Sequence, residues 1–508
     1  MNALQLQNED LRKQVASLQQ ALEDSRRENT LLRQKLDAFV RRYFSKSSEH
    51  LDSAQLQLLL TGLPQSGEPA PQPSHLPLEK APRRERNHTQ RIRTPDNLEV
   101  VTQVIEPELV AAEPEKWKCI DREVSRQLDY QPGKFFWVET VRPKYVRRDQ
   151  RLLAPIIAPA PARVADHSLA APGLLAYLLV SKYADHLPYY RLQMIFWQRH
   201  GVFITRQQMV MWTGQCVLLL EAIVGCLKQE LQASAYVQVD ETPVRYQDPE
   251  IEGRCGQGYL WTALVPGRCL IYEWHASRAA ACLDSLLGKE FAGKVQCDGY
   301  GAYPAYARKQ KNVVLLGCLA HARRGFFEAK DQAPSVVGWI LNQLGIVYGW
   351  EEKLRRSRAG PQRRLALRRS HSKMVMDRLH RALTRLQPRY LPQSLLGQAI
   401  SYALNQWPLL ERFLEYGEVE VDNNLVENAI RPTAIGKKNW LFFGSEEAGT
   451  RNAVIYTLIA NCRMHEVEPQ AYLKDVLERL PRTTNHQVAE LTPLQWKKAR
   501  QFVLQKAA

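Results

Sequence analysis

The sequence has no pair of cysteines at C-x-x-C spacing, and its nine cysteines are an odd number spread along 508 residues. Neither a disulfide framework nor an ordinary zinc knuckle is therefore expected, and a reducing cytosol is the simplest setting. The first residues, MNALQLQNEDLRK, contain no apolar core of a signal peptide, and no apolar run reaches about 18 residues. We therefore expect a cytoplasmic protein with no membrane partner.

Acidic residues are too few to balance the basic ones. Lysine and arginine number 69 against 53 aspartates and glutamates, which gives a formal net charge of +16. The apolar content of 45% is ordinary for a globular protein, and the length allows roughly two to four domains. A positive excess of this size indicates a polyanionic partner, such as nucleic acid.

Residues 1–45 carry a heptad pattern with charged residues between its two seam columns. The apolar members of the seam include Leu4, Leu11, Leu18, Leu22, Leu32 and Leu36. Asn8 and Asn29 fall in the same seam, where a polar residue sets the register at some cost in stability. The pattern predicts a coiled coil of about six heptads that joins copies of the chain into a homo-oligomer. The alternative is a single amphipathic helix packed on its own protein.

Three segments of different composition follow. Residues 63–97 are rich in proline and charge, and we predict a disordered basic linker there. Residues 98–165 contain short alternating runs that predict a small β-rich module. Residues 170–232 are helical in pattern, and YYRLQMIFWQRHGVFITRQQMVMW resembles two helices joined by a glycine-containing turn.

The second of these two helices is expected to begin at Thr205. Arg206, Gln207 and Gln208 then lie at its N-terminus, which is the part of a helix-turn-helix motif that reads base edges. We therefore predict DNA contacts from Arg206 and Gln207. Helical hairpins with glycine turns are common, so an ordinary hairpin without DNA binding is the alternative.

Residues 233–445 change to a strand pattern. Three strands, a helix and a further strand are predicted from AYVQVDETPV, GYLWTALVP, RCLIYEWHAS, AACLDSLLGKEF and GKVQCDGYGAY. This order resembles the opening of an RNase H-like fold, whose sheet presents acids at strand ends. A basic helical insertion is predicted over about 325–416, and short helices over 446–508. The chain is thus expected to be a multidomain α+β protein.

Three acids stand out in this region. Asp240 ends the run YVQVD, Asp298 ends KVQCD, and Glu427 lies early on a predicted helix. Strands one and four of such a sheet are neighbours, so the two aspartates should lie close together and repel each other unless a cation separates them. Mg²⁺ is the expected ion because a hard cation takes carboxylate oxygens. A third carboxylate completes a two-metal site of the kind that acts on phosphodiesters.

Each acid also has a purely structural explanation. An aspartate at a strand end often caps a turn. Asn424 as N-cap with Glu427 three residues later resembles a capping box, and Glu427 with Arg431 makes an i,i+4 ion pair. The ordered set Asp240, Asp298 and Glu427 in this strand-and-helix context favours the catalytic interpretation.

Several motifs resemble the large transposase of the insertion sequence 66 family. They are VQVDETPV, CDGYGAY, CLAHARRGFF and DNNLVENAIRPTAIGKKNWLFFGSEEAG, with SKYADHLPYYR upstream and EPQAYLKDVLERL downstream. The likeness covers roughly residues 100–480. It implies an RNase H-like DDE catalytic domain interrupted by a helical insertion, with Asp240, Asp298 and Glu427 as its metal-binding triad.

The resemblance also implies roles for other residues. Cys318-Leu-Ala-His321 matches a C-x-x-H element of several transposases, so His321 is expected to assist in the active site; a buried, hydrogen-bonded histidine is the alternative. Trp440 is expected either to stack on a base or to fill the core. The basic residues expected to neutralise DNA phosphates are Arg323, Arg324, Arg431, Lys437 and Lys438.

A member of this family is expected to bind the terminal inverted repeats of its element, and target DNA, as an oligomer. It cleaves phosphodiester bonds and joins the 3′-hydroxyl ends, with two Mg²⁺ ions for which Mn²⁺ can substitute. Small accessory proteins of the same element are further candidate partners, and DNA binding would associate the cytoplasmic protein with the nucleoid. The rival interpretations are a catalytically silent DNA-binding regulator, disfavoured by the intact acids, and a resolvase-like nuclease, disfavoured by length and insertion.

The chain departs from the family at the position of the zinc module. Many members carry a cysteine-rich zinc-binding module ahead of the SKY segment. Residues 98–165 of this chain contain one cysteine, Cys119. We therefore expect a zinc-free counterpart of that module and no zinc in the protein.

Deletion of residues 1–44 is expected to lower the oligomer order and leave the catalytic domain folded, because the heptad seam would be the contact between copies. Light scattering measures the mass of both forms, and circular dichroism checks that the shortened chain is folded. An unchanged number of copies per particle after deletion would show that the heptads do not hold the oligomer together.

Overall fold

The computed structural model of the protein describes residues 98–131, 133–148, 154–164, 168–248 and 254–507, with Ile92–Arg93 and positions 15, 17, 19 and 20. Apart from these few positions, the predicted coiled coil (1–45) and linker (63–97) lie outside the described residues. The chain divides into two compact units. The first contains residues 90–321, 353–369 and 406–508, and the second contains residues 322–352 and 370–405 together with 1–89.

Strands occur in the first unit and helices in both. The strands are β1 (Ile92–Arg93), β2 (Val100–Val104), β3 (Trp117–Gln131), β4 (Lys134–Arg147), β5 (Ile156–Ile157), β6 (Phe203–Ile204), β7 (Tyr236–Gln247), β8 (Cys255–Val265), β9 (Cys269–His275), β10 (Gly293–Gln296) and β11 (Val313–Leu316). The helices up to the end of the predicted insertion are α1 (Glu108–Ala112), α2 (Pro172–Tyr183), α3 (Tyr189–His200), α4 (Arg206–Gln232), α5 (Ala281–Leu286), α6 (Ala302–Lys309), α7 (Leu319–Glu328), α8 (Pro334–Arg356), α9 (Pro361–Leu367), α10 (Lys373–Leu386), α11 (Leu395–Asn405) and α12 (Trp407–Leu410). The later helices are α13 (Asn424–Trp440), α14 (Glu446–Met464), α15 (Pro469–Arg479) and α16 (Pro493–Ala507).

A four-stranded sheet occupies the region in which a β-rich module is predicted. β4 is its centre, with β2 parallel to it and β3 and β5 antiparallel. The long β3–β4 hairpin turns at Gly133, whose φ of 96° favours glycine. β1 lies within the predicted disordered linker, yet it pairs with β6. The prediction of disorder is therefore wrong for Ile92 and Arg93, because a strand from elsewhere in the chain pairs with their backbone.

A five-stranded sheet in the order β11-β10-β7-β8-β9 lies in the first unit. β8 is antiparallel to both of its neighbours, β7 and β9, whereas β10 is parallel to β7 and to β11. The predicted adjacency of the first and fourth strands is confirmed by the register that sets Gln296 opposite Gln238. β7 does not end at Asp240, as the sequence pattern indicates. It continues to Gln247 because β8 pairs along its full length, whereas pairing with β10 stops at Gln238.

α3 and α4 form the predicted helical hairpin. Gly201 ends α3 with a φ of 65°, and the Thr205 hydroxyl accepts a hydrogen bond from the Gln208 backbone N–H at 3.2 Å. The predicted start of α4 is thus confirmed by its cap. Arg206 and Gln207 are exposed, whereas Gln208 is buried and cannot reach a base edge.

α4 is long and apolar enough to cross a membrane by length and composition, with a mean hydropathy of 1.8 in its best window. The expectation that no apolar stretch reaches this length is too strict, because an apolar window tolerates an isolated charge such as Glu221. Trp212, Leu220 and Ile223 on this helix are almost wholly buried in the core of the first unit. The core helix of a soluble protein can be as long and as apolar as a membrane span, and the burial of these three side chains favours that interpretation of α4.

α14 covers the outer edge of the central sheet. The Asn461 side chain accepts a hydrogen bond from Leu270 N at 3.0 Å and donates one to Leu270 O at 2.6 Å. The Thr457 hydroxyl accepts from Tyr272 N at 2.9 Å. These side chains satisfy backbone groups of β9 that a further strand would otherwise bond, in a place that water does not reach.

Residues 322–352 and 370–405 of the second unit consist of helices joined by short turns. α10 and α11 pack on each other, and Leu379, Leu383 and Ile400 are buried. Gly397 allows close approach of α11 to the preceding turn, since a Cβ there would lie 2.0 Å from Leu391 O. These helices fall within the predicted basic insertion.

Asn461→Leu is expected to lower the free energy of unfolding by about 2–4 kcal/mol, because the buried N–H and C=O of Leu270 lose their partner. Urea unfolding followed by circular dichroism measures the change. Asn439→Leu makes the same substitution at an exposed position of α13 and should shift stability by no more than about 0.5 kcal/mol. If Asn461→Leu and Asn439→Leu unfold at the same urea concentration, Asn461 does not stabilise the edge of the sheet.

Candidate active site

Two buried glutamines link the central sheet to the loop that precedes α13. Gln238 on β7 donates to Asp422 O at 2.9 Å, and Gln296 on β10 donates to Glu420 O at 3.0 Å. Gln238 also accepts from Val426 N at 3.4 Å, in the first turn of the helix. Both side chains are wholly buried. The start of α13 is therefore held against the sheet by side-chain amides.

Each glutamine precedes one of the predicted catalytic acids by two residues. Side chains two apart in a strand point to the same face of a sheet. Asp240 therefore lies on the face to which Gln238 points, and Asp298 continues the line of Gln296 just after β10 ends. The repeated pattern V-Q-x-D at 237–240 and 295–298 is the sequence signal that could have identified the glutamines, which sequence reasoning missed.

The predicted acids come together in the first unit. Burial raises the pKa of Asp240 to about 8, and the charges of Glu241, Asp298 and Glu427 act in the same direction. Asp298 Oδ1 accepts a hydrogen bond from Tyr300 N at 2.9 Å, so the turn-capping alternative holds for one of its oxygens. Asp298 after β10 and Glu427 on α13 thus lie near enough to Asp240 on β7 for their charges to act on its carboxyl, and a shared catalytic role stays a prediction.

Glu241 is a fourth acid beside this group, and sequence reasoning did not select it. Its carboxylate accepts hydrogen bonds from Arg278 Nε at 2.7 Å and from the Tyr303 hydroxyl at 2.5 Å. Burial raises its pKa, while the bonds to Tyr303 and Arg278 lower it. Glu241 is thus an acid with fixed partners, and its neighbour Asp240 points to the other face of the strand.

The helix that carries Glu427 begins one residue earlier than the capping-box alternative requires. Asn423 is the N-cap of α13, its side chain makes no capping hydrogen bond, and Asn424 is the first helical residue. The Glu427 backbone N–H donates to Asn423 O at 3.1 Å. A capping box with Asn424 as N-cap is therefore wrong, because Glu427 lies one position too far along the helix to complete one at Asn423.

His321 and Cys318 lie beside Glu427. His321 Nδ1 is 3.5 Å from Glu427 Oε1, and the ligand atoms of all three residues lie within 4.8 Å of one another. Burial raises the pKa of the Cys318 thiol to about 12, so the thiol stays protonated unless a metal binds it. Three ligands do not make the four-ligand set of a structural zinc site, and the absence of zinc stays a prediction.

The carboxylates of Asp240, Asp298 and Glu427 form a set of hard oxygen donors. A buried acid with several acidic neighbours is destabilised in its charged form, and a divalent cation relieves that repulsion. The site residues therefore fit Mg²⁺ or Mn²⁺ by the chemistry of their donors.

The basic residues predicted on α13 differ in exposure. Arg431 and Lys438 are exposed, and they lie four and eleven residues after Glu427, which puts all three on about the same face of the helix. Lys437 is partly buried and donates to Pro243 O at 3.2 Å. Trp440 packs against the core and stacks on Phe443 with ring centroids 4.8 Å apart. Core packing of Trp440 is confirmed, and its contact with a base stays a prediction.

Two further predicted contacts, Arg323 and Arg324, lie on α7. Both side chains are exposed. They belong to the second unit, whereas His321 on the same helix belongs to the first.

Three family descriptions match the chain. The one described as transposase IS66 family matches residues 167–451. The IS66 C-terminal element matches residues 457–494. The description transposase C of IS166 homeodomain matches residues 31–102, a region in which the residues alone indicated only a coiled coil and a linker.

The chain also resembles three uncharacterized proteins of Sinorhizobium fredii. The protein y4qI is 33% identical over 401 residues, which cover 76% of this chain and 73% of that protein. The protein y4jD is 32% identical over 415 residues, 76% of this chain and 80% of that protein. The protein y4hP is 27% identical over 430 residues, 80% of this chain and 76% of that protein.

Asp240→Asn is expected to raise the Tm of the metal-free protein at high pH and to change it little at low pH. An acid whose pKa is raised on folding keeps its proton in the folded chain, so the free energy of unfolding falls as pH rises from about 4 to about 8. Asparagine avoids that loss.

Thermal unfolding in a chelator at about pH 4 and about pH 9 measures the difference, since the two values bracket the titration. Asp185→Asn, at an exposed position, serves as the matched control and should show the same small change at both pH values. The same change in Tm for Asp240→Asn at both pH values would show that burial does not raise the pKa of this carboxyl.

Proposed function

Since the chain belongs to the insertion sequence 66 transposase family, we propose that it is a DDE transposase that binds the terminal inverted repeats of its element and catalyses metal-dependent DNA cleavage and strand transfer. The observation that carries the proposal is that Asp298 and Glu427, from two other parts of the first unit, lie near enough to Asp240 for their charges to raise its pKa together with burial. Structural acids have no reason to accumulate at one buried place, because each raises the cost of ionising the others.

The strand order of the central sheet supports an RNase H-like fold for the catalytic domain. Three antiparallel strands are followed by two parallel ones, and the fourth strand in the chain lies beside the first. This order brings the acid after β10 next to the acid on β7. In the order of the chain, the helical insertion predicted over about 325–416 follows these strands and precedes Glu427.

Mg²⁺ is the proposed cofactor, held by Asp240, Asp298 and Glu427, with two ions at the site and Mn²⁺ able to substitute. Bound there, it supplies a water of lowered pKa and stabilises the leaving oxygen of a phosphodiester. His321 lies against Glu427, where it can hold the carboxylate in position or take a proton from an attacking hydroxyl. Water and then the 3′-hydroxyl end of the element are the proposed nucleophiles.

The proposed DNA contacts extend from the acidic site along α13. Arg431 and Lys438 share the face of Glu427 and can neutralise phosphates on either side of the cleaved bond. Lys437, Trp440, Arg323 and Arg324 are proposed to add contacts. Such electrostatic contacts position DNA but carry no sequence information.

Sequence recognition is proposed to come from two regions. Arg206 and Gln207 at the exposed start of α4 can reach base edges. The homeodomain description of residues 31–102 supports a second DNA-binding region there. Residues 1–45 are proposed to join copies of the chain, so that two ends of an element can be held together. Small accessory proteins of the element and a cytoplasmic, nucleoid-associated location belong to the same proposal.

Glu427→Gln is expected to fold and bind DNA while strand cleavage and joining fall at least about 100-fold, since even an outer-sphere partner of a metal is worth 10–100-fold. Asp240→Asn and Asp298→Asn should behave alike. The assay incubates the full-length protein with duplex DNA from the ends of its element and Mg²⁺, and separates nicked and joined products by electrophoresis.

Glu447→Gln, at an exposed position of α14, is the matched control and should retain wild-type cleavage. Near-normal joining by Glu427→Gln would return Glu427 to a structural role. DNA binding by the wild-type protein with no cleavage under any of these conditions would favour the catalytically silent regulator.

A further inference from the structure

A pocket of about 490 Å³ lies at the end of β7 that is remote from Asp240. Its walls come from α2, α4, α14 and the segment after α13. Phe443 in that segment is bonded to β7, since its N–H donates to Arg245 O and its C=O accepts from Gln247 N, both at 2.8 Å. Tyr246, which bridges to Phe443, is six residues beyond Asp240, or roughly 20 Å along the strand. The pocket is therefore separate from the acidic site.

Among the described residues that line this pocket, three are cations and none is an acid. The cations are Lys182, Arg206 and Arg451. Lys182 is mostly buried, and its ammonium group lies 4.2 Å from the ring centre of Tyr189 and 5.5 Å from that of Tyr183. Within the described part of the chain, no carboxylate pairs with it. Burial lowers the pKa of Lys182 to about 8. A buried cation without an acid is costly, and an anion that enters the pocket offsets the cost.

The start of α14 adds positive potential to the same pocket. Gly444, Ser445 and Ala448 line it, and the Ser445 hydroxyl accepts from Ala448 N at 3.1 Å as the N-cap. The first backbone N–H groups of this 19-residue helix have no acceptor within the helix, and its dipole favours an anion there. Glu446 and Glu447 in the first turn are exposed and do not line the pocket.

An aromatic surface lies beside these cations. Phe442 lines the pocket and is 36% exposed. Its N–H donates to Trp440 O at 2.8 Å, which closes a tight turn around Leu441. Leu441 has a φ of 66°, a strained conformation for a residue with a side chain. Planar apolar surface next to phosphate-binding cations is the combination that proteins use to hold a nucleotide of a nucleic acid strand.

We propose that this pocket binds one backbone phosphate of the bound DNA through Lys182 and Arg451, with an adjacent base against Phe442. This inference rests on the proposed transposase function. The roughly 20 Å between Asp240 and the pocket corresponds to about six nucleotides of a strand that runs along β7. The pocket thus holds the flank of the element end while the acids act on its terminus.

Lys182→Met tests the assignment, because it keeps the apolar stem and removes the charge. Its Kd for a fluorescent duplex from the end of the element is expected to rise about tenfold, and the slope of log Kd against log salt to fall by about one, the contribution of one phosphate contact. Arg451→Gln should act in the same direction. Lys309→Met, at an exposed position of α6, is the matched control and should leave Kd unchanged.

Thermal unfolding checks that each variant is folded. Lys182→Met should be at least as stable as the wild type, because it removes an unpaired buried charge. A methylphosphonate placed at one phosphate after another along the duplex locates the contact. Neutralising the phosphate about six nucleotides from the cleaved bond should weaken binding by the wild-type protein and have no further effect on Lys182→Met.

Equal duplex affinity of Lys182→Met and Lys309→Met would overturn the proposal. If free dAMP binds to the wild-type protein but not to Lys182→Met, and the variant binds the duplex normally, the pocket is a site for free nucleotides. That result would overturn the proposed DNA contact. If Lys182→Met cleaves DNA normally and binds it with normal affinity, the phosphate contact in the pocket is refuted and the proposed transposase activity is not. If DNA binding depends on Lys182 but the wild-type protein cleaves no DNA, the proposed enzymatic activity is refuted and the DNA contact in the pocket is not.

Discussion

The hydrogen bonds from Gln238 and Gln296 to the loop before α13 are the constraint on which the candidate active site depends. The part of that loop nearest the helix, residues 421–423, is buried and has no regular secondary structure, so its carbonyl groups need donors from side chains. The two sheet glutamines supply donors on one side. Arg368, itself wholly buried, donates to Phe413 O and Val419 O at 3.1 and 2.9 Å. Because these donors hold the loop, Glu427 on the following helix occupies a defined place relative to Asp240.

The same arrangement explains why the acidic site is electrostatically costly yet stable. Burial raises the pKa of Asp240, and the charges of the neighbouring acids raise it further. The surrounding core is apolar and well covered: Val237 and Val239 flank the site on β7, and both are wholly buried. Packing of the apolar core and the hydrogen bonds from Asn461 to β9 stabilise the fold, and this stability offsets the repulsion between the acids near Asp240.

Two kinds of cation occur in the first unit, and they differ in what balances them. Arg278 is paired with the buried Glu241, and Lys228 is paired with Glu273, so their charges are already neutralised within the protein. Lys182 contacts aromatic faces, and no acid pairs with it among the residues that the structure describes. A charge that the protein leaves without a counterion is available to a ligand, which is the physical basis for assigning a phosphate to that pocket.

The sequence by itself determined the features that depend on neighbouring residues. The strands around Asp240 and Asp298, the adjacency of the first and fourth strands, and the start of α4 at Thr205 follow from alternation, chain order and a cap, and the structure confirms them. The family motifs indicated membership of the insertion sequence 66 transposase family, and the match over residues 167–451 confirms it. Roles in DNA binding, metal binding and catalysis stay predictions, because no contact within the protein tests them.

Only the tertiary structure decided which of these residues meet and how far each element runs. β7 extends to Gln247 because β8 pairs with it as far as that residue, and α13 begins at Asn424, with Asn423 in the N-cap position. Glu241 and Lys182 carry no local signal, since their significance comes from partners, or the lack of them, far away in the chain. Alternation and caps depend on a few neighbouring residues, whereas burial and electrostatic balance are set by contacts between segments 60 to 190 residues apart.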